Sequence, residues 1–128
     1  MTEVDGDGVV ERYLAAMTAH EWDAMGACLD DDVVRTGPYG DTYASKRVYV
    51  DFLSGLMPKL PGYSMDVARI VYTADGRDAV AELSETVEVN GAPKVTPEAL
   101  VFELTPGGLI ARIRIYIQEL GVPARNLP

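Results

Sequence analysis

From Tyr63 onward the chain reads as four β runs joined by turn signals, and this half dictates what the rest can do. The runs are YSMDVARIVYT, DAVAELSETVEV, VTPEALVFEL and LIARIRIYIQ, linked at Asp75-Gly76, Asn90-Gly91 and Pro106-Gly107-Gly108. Their alternation of apolar and polar residues is the period of half-buried strands. Asp-Gly and Asn-Gly suit a type I′ turn, whose two central residues both need φ > 0, so consecutive runs pair as hairpins. A meander with one apolar face needs a cover.

The first sixty residues supply that cover. Val10, Tyr13, Leu14 and Met17 fall at i, i+3, i+4 and i+7, predicting a helix with Asp7 or Gly8 at its start. Residues 21–29 place Trp22, Met25 and Leu29 at helical spacing, a second short helix, with His20 in the link before it. The acidic run at 30–32 reads as a solvated loop, and VVRTGPYG at 33–40 as a short strand entering a Gly-Pro turn. A third helix starts at Ser45 as N-cap, shows Val48, Phe52 and Leu56 on one face, and ends at Pro58 and Pro61-Gly62. The expected class is α+β, with three N-terminal helices packed on a strongly curved antiparallel sheet.

A chain of 128 residues suits one domain with a real core. No apolar run approaches the roughly 18–20 residues of a membrane span, and the acidic start MTEVDGDG is unlike a targeting peptide. The 20 acidic and 11 basic residues give a net charge of −9, which disfavours nucleic acid and anionic membranes as partners. A single cysteine, Cys28, permits no internal disulfide and suits the cytoplasm. With one histidine as well, the chain lacks a zinc-finger ligand set, and a Ser/His/Asp arrangement would rest on His20 alone, which sits in a helix–helix link and suits a surface or capping role better. No glycine-rich phosphate loop is present, so neither metal nor cofactor is expected.

The second β run carries the most specific chemical signal. One of its faces reads Ala79, Ala81, Leu83, Glu85, Val87, Val89, an apolar series that Glu85 interrupts. The next run repeats the theme with Glu98, Leu100, Phe102 and Leu104 on one face. A carboxyl group in an apolar pocket is held toward its neutral form, which suits proton transfer near neutral pH. The bland alternative pairs Glu85 with Arg69 or Arg114 and leaves Glu98 in water at a sheet end. In the last run Leu109, Ala111, Ile113, Ile115 and Ile117 read as core. Ile110, Arg112, Arg114, Tyr116 and Gln118 form an amphipathic face suited to a dimer interface or a wet sheet face.

Across residues 8–118 the chain resembles the nuclear transport factor 2-like superfamily, especially its small bacterial SnoaL-like and ketosteroid-isomerase-like members. The carriers are VVERYLAAMTAHEWDAMGACLDDDVVRTGPYG, the helix entry ASKRVYVDFL and the ending FELTPGGLIARIRIYIQ. The resemblance implies a cone-shaped α+β barrel with a cavity between helices and sheet, and a homodimer packed through the sheet. It also implies one SnoaL-like domain over residues 1–128, with 1–7 and 119–128 as tails. In the steroid isomerases an aspartate takes a proton while a tyrosine and a protonated aspartate hold the oxyanion. The tyrosine falls on Tyr13. The base of the family's D-P-x-G turn falls on Gly37, and the second aspartate on Leu100, so that machinery is not inherited. The W-R-D-Y pattern of limonene-epoxide-hydrolase-like relatives reads Ile113-Arg114-Ile115-Tyr116, with isoleucine at the acid. SnoaL-like cyclases ask least, a single acid/base in an apolar pocket with no metal or cofactor.

The expectation is therefore a cofactor-independent acid/base enzyme, a cyclase, isomerase or related catalyst, acting on an apolar cyclic or polyketide-like molecule. Glu85 and Tyr13 are the expected catalytic residues. Trp22, Tyr39, Tyr43, Phe52, Leu56, Glu98, Leu100, Phe102 and Ile115 are the expected substrate-binding ones. A non-catalytic ligand-binding or dimeric interaction module of the same fold is the alternative, and an epoxide-hydrolase-like activity the second.

Overall fold

A computed structural model describes residues 8–119. The expected tails at 1–7 and 119–128 thus lie outside the described residues except for Glu119, as does the capping role weighed for Asp7. Helix α1 (Val9–Thr18) buries Val10, Tyr13, Leu14 and Met17, the face its spacing predicts. Gly8 is its N-cap and offers no side chain. The Tyr72 hydroxyl does that work from the sheet, accepting from the Val10 N–H at 3.0 Å and donating to Glu11. One of the helix's free N–H groups is thereby satisfied by tertiary structure, which no local sequence rule could show.

Helix α2 (Trp22–Gly26) is shorter than expected. Leu29 and the acidic run belong instead to strand β1 (Leu29–Thr36), which corrects both the helix and the loop reading. Leu29 and Val33 are fully buried, while Asp31 and Asp32 face water, so extended chain buries the apolar pair without burying charge. A short strand, β2 (Thr42–Ala44), follows the Gly-Pro turn. Helix α3 (Lys46–Leu56) starts as predicted, with Ser45 Oγ accepting from the Val48 N–H at 3.3 Å. Its buried residues are Tyr49 and Leu53, one position round from the predicted face. Val48 and Leu56 are 41 % and 38 % exposed. A 3-10 turn (Met57–Lys59) closes it at Pro58.

The meander is as expected: β3 (Ser64–Tyr72), β4 (Asp78–Val89), β5 (Ala92–Leu104) and β6 (Ile110–Ile117) pair in sequence, all antiparallel. Asn90 and Gly91 both take positive φ, at 55° and 80°, as a type I′ turn demands. At the β3–β4 link only Gly76 does, at 72°, so that hairpin closes by a longer loop whose Asp75 Oδ1 accepts from Thr73 and the Arg77 N–H.

The full order is β2-β1-β6-β5-β4-β3, with β1 parallel to β6. The sheet is mixed and open, with β2 and β3 at its edges, and this corrects the antiparallel barrel. No hairpin joins β1 to β6, so nothing forces them antiparallel. The three helices are likewise split, because α3 follows β1 and β2. A bulge at Ala111, between the pairs Glu103–Arg112 and Leu104–Ile110, shifts the alternation of β6 and sends Ile110 into the core, against expectation. The core packs α1 and α3 on the inner face of the sheet. Phe102 is fully buried with its ring edge-on to Tyr13, centroids 5.9 Å apart.

Candidate active site

Between the helices and the sheet lies a cavity of about 370 Å³. Met17, Leu53, Met57, Leu60, Leu83 and Val87 give it apolar walls. Its polar groups gather into an acid cluster on the sheet and a donor cluster under the helices.

The acid cluster follows from register. Strands β4 and β5 pair Leu83 with Glu98 and Glu85 with Thr96, so the two glutamates are diagonal neighbours on the inner face. Their carboxyl groups are near enough to influence each other's ionisation. Tyr63, just before β3, donates its hydroxyl to Glu85 Oε2. Burial pushes Glu98 up to about 9, helped by the neighbouring Glu85 carboxyl and its charge, while Arg35 pulls the other way. Burial also raises the Tyr63 phenol, with Glu85 adding to the effect. The raised value favours one shared proton on the pair at neutral pH. The arginines weighed as partners for Glu85 go elsewhere: Arg69 to Glu82 at 3.5 Å and Arg114 to Glu103 at 2.6 Å.

The donor cluster joins three elements. Tyr13 of α1 and Tyr49 of α3 are 1 % and 2 % exposed, with their hydroxyls hydrogen-bonded to each other. Burial raises both phenols, and the Arg35 charge on β1 pulls both down. The Arg35 guanidinium lies 5.6, 5.8 and 5.7 Å from the rings of Tyr43, Tyr49 and Phe52. Its Nη1 meets Asp41 at 2.9 Å, and its Nε is buried without a hydrogen-bond partner. Two phenols and a cation in an apolar setting can stabilise negative charge developing on a bound oxygen.

Of the residues predicted for the site, Glu85, Tyr13, Glu98, Leu100 and Ile115 line the cavity from the sheet and α1. Phe52, Leu56 and the 79 % exposed Tyr39 line it from the helix and the turn. Three do not. Trp22 lies at the outer side of α2, stacked on His20 with centroids 5.4 Å apart. Tyr43 stands behind Phe52, stacked at 4.0 Å. Phe102 sits beneath the floor against Tyr13. In each case an aromatic ring fills core or covers another ring instead of reaching open space. Sequence reasoning missed Arg35 and Tyr63. Arg35 was open to discovery, since it shares strand parity with the buried Val33, the same alternation that marks Glu85. Arg114 faces out with Val101, so no epoxide-hydrolase-like set forms around it in the cavity. Among the described residues, no group of three His, Cys, Asp or Glu is arranged to hold a metal ion.

Known proteins share this arrangement of elements. The SnoaL-like domain family matches residues 10–113. No curated protein matches the chain. Among solved structures, the chain is similar to a candidate polyketide cyclase from Pseudomonas putida KT2440, at 25 % identity and TM-score 0.75, covering 92 % of this chain and 94 % of that one. An LEH-like epoxide hydrolase from M. tuberculosis gives 24 % identity and TM-score 0.72, covering 86 % and 80 %. A protein of ketosteroid isomerase-like fold from Catenulispora acidiphila DSM 44928, solved with trimethylamine, gives 18 % and 0.74, covering 95 % and 98 %. These neighbours carry different activities in their names, so the likeness speaks for the fold.

Proposed function

The chain belongs to the SnoaL-like domain family, and from that premise we propose that it is an acid/base enzyme acting on an apolar, ring-shaped small molecule that bears a carbonyl group. One observation carries the reading: two diagonally paired glutamates face the same apolar cavity as two tyrosine hydroxyls and an arginine. Glu85 is the base. It takes a proton from the carbon next to the carbonyl, and the C–H electron pair moves onto the carbonyl oxygen as an enolate. One hydroxyl of the Tyr13–Tyr49 pair donates to that oxygen while the other donates to its partner and, with the Arg35 charge nearby, supports it. The enolate carbon then either takes a proton back at a new position, which is isomerisation, or attacks a second carbonyl of the same molecule. In the second case Glu98 protonates the new alkoxide, which is an aldol ring closure. The walls suit an apolar ring, with Phe52, Leu100 and Ile115 as contacts.

A panel of ring ketones, 2-tetralone among them, tests this in D₂O, with loss of the α-proton NMR signal as the readout. Protein-dependent exchange that Glu85→Gln removes is the expected result. No exchange across the panel, or equal exchange by Glu85→Gln, overturns it. A ketone that raises the Tm yet never exchanges would favour the binding-module reading, which draws on the glycine at 37 and the leucine at 100. We also retain a homodimer through the sheet as a proposal, supported by the exposed outer-face residues Val71 and Tyr116. Sedimentation velocity tests it.

A further inference from the structure

The turn after β1 contains an acid that does not line the cavity yet governs a residue that does. Gly37 donates its N–H to the Asp41 carbonyl at 2.8 Å, which brings residue 41 back beside residue 37. A Cβ at Gly37 would meet Asp41 Oδ1 at 2.5 Å, Oδ2 at 2.7 Å and Arg35 Nη1 at 2.8 Å. The carboxylate and the guanidinium tip thus occupy the room that any side chain at 37 would need. The position that carries the base in steroid isomerases is a glycine here, and another residue's acid has taken its space.

Arg35 has competing partners. It lines the same cavity as Glu85 and Glu98, where the lower dielectric makes a cation–carboxylate pair stronger than one near water. Yet it pairs with Asp41, whose side chain is 41 % exposed. We propose that Asp41 is a positioning residue that tethers Arg35 away from the Glu85–Glu98 pair, and that Gly37 is required because it leaves the tether its room. An arginine drawn onto Glu98 would strip the proton the pair shares, leaving two carboxylates and no acid. The purpose of the tether rests on the acid/base reading above; its existence does not.

The titratable groups that line the cavity with Glu98 are Tyr13 from α1, Arg35 from β1, Tyr39 from the turn after it, Tyr49 from α3, Tyr63 before β3 and Glu85 from β4, with Lys94 on its own strand and Glu119 beyond β6. Protein labelled with ¹³Cδ-glutamate reports the Glu98 titration directly by NMR, assigned by the signal that Glu98→Gln removes. The comparison is wild type against Asp41→Ala and Gly37→Ala. The second variant keeps the Asp41 charge and displaces it, which separates tethering from simple removal of a negative group. We expect the Glu98 midpoint to fall by about one pH unit or more in both as Arg35 reaches the pair. An unchanged midpoint in both, with folded amide spectra, overturns the tether. Should Gly37→Ala fail to fold, Asp41→Glu, which keeps the charge and changes its reach, takes its place. No substrate enters the measurement. Failure of ketone exchange with a shifted midpoint would sink the acid/base reading and leave the tether standing. The reverse pattern would sink the tether only.

Discussion

The two polar clusters of the cavity are built differently. Glu85 and Glu98 stand on the paired central strands β4 and β5, and one register places both. Tyr13, Tyr49 and Arg35 come from α1, α3 and β1, and meet only because three separate packing contacts hold. Sheet register therefore fixes the proton-transfer groups, while helix seating tunes the oxyanion donors. The sharpest way to break this division of labour is Glu85→Gln. The amide still accepts from Tyr63 but cannot take a proton, so ketone exchange should drop by about 10³-fold with thermal stability little changed.

Tyr13→Phe is the matching test of the other cluster, with an expected loss of about 10²-fold because Tyr49 and Arg35 remain as donors. It should also cost the fold about 1–3 kcal/mol in chemical denaturation, since the Tyr49 hydroxyl loses a buried partner. A larger rate loss in Tyr13→Phe than in Glu85→Gln would place the difficult step at the oxygen and not at the carbon.

The same contrast explains what the sequence disclosed. Alternation on β4 and β5 exposes an acid on an apolar face with no tertiary knowledge, so Glu85 and Glu98 were legible. The four-strand meander was too, because each link carries its own turn chemistry. Parallel pairing of β1 with β6 was not, since no local signal joins strands so far apart in the chain. Nor was the bulge at Ala111, which flips Ile110 inward without any glycine or proline to announce it. The α3 face was misjudged by one position because Tyr49 buries its ring while its hydroxyl finds Tyr13, a compensation between distant residues. Aromatic residues as a class overpredicted the pocket: Trp22, Tyr43 and Phe102 satisfy packing first.

A third test uses pH. The folded pKa of Glu98, about 9, lies above that of an unfolded glutamate near 4.3, so the folded state binds the extra proton between those values. The Glu98 contribution to stability is therefore greatest toward pH 5 and is lost as pH rises to 9, the reverse of a salt-bridged carboxylate. Melting curves from pH 5 to 9 should show a declining Tm in wild type and a flatter profile in Glu98→Gln. A wild-type profile that rises across this window would show that Glu98 ionises normally and that the acid cluster lacks its acid.

The smallest expected effect tests whether the cavity matters at all to the energetics of charge. On the outer face, Arg114 meets Glu103 at 2.6 Å, a closer contact than the 2.9 Å between Arg35 and Asp41. Distance alone would rank the outer pair as stronger. Surroundings reverse the order. The Arg114 and Glu103 side chains are 35 % and 45 % exposed, and Glu103 has a second partner in Arg112 at 3.7 Å. Arg35 is only 12 % exposed and lies among three aromatic rings. Arg114→Met should then change stability by less than about 1 kcal/mol and leave ketone exchange untouched, because water and Arg112 take over. Arg35→Met should impair exchange and cost more stability than Arg114→Met, since the better-shielded ion pair with Asp41 and the charge near Tyr49 are both gone. Equal effects of the two variants on exchange would mean that the inner arginine acts as an ordinary surface charge, and the donor cluster would lose its cation.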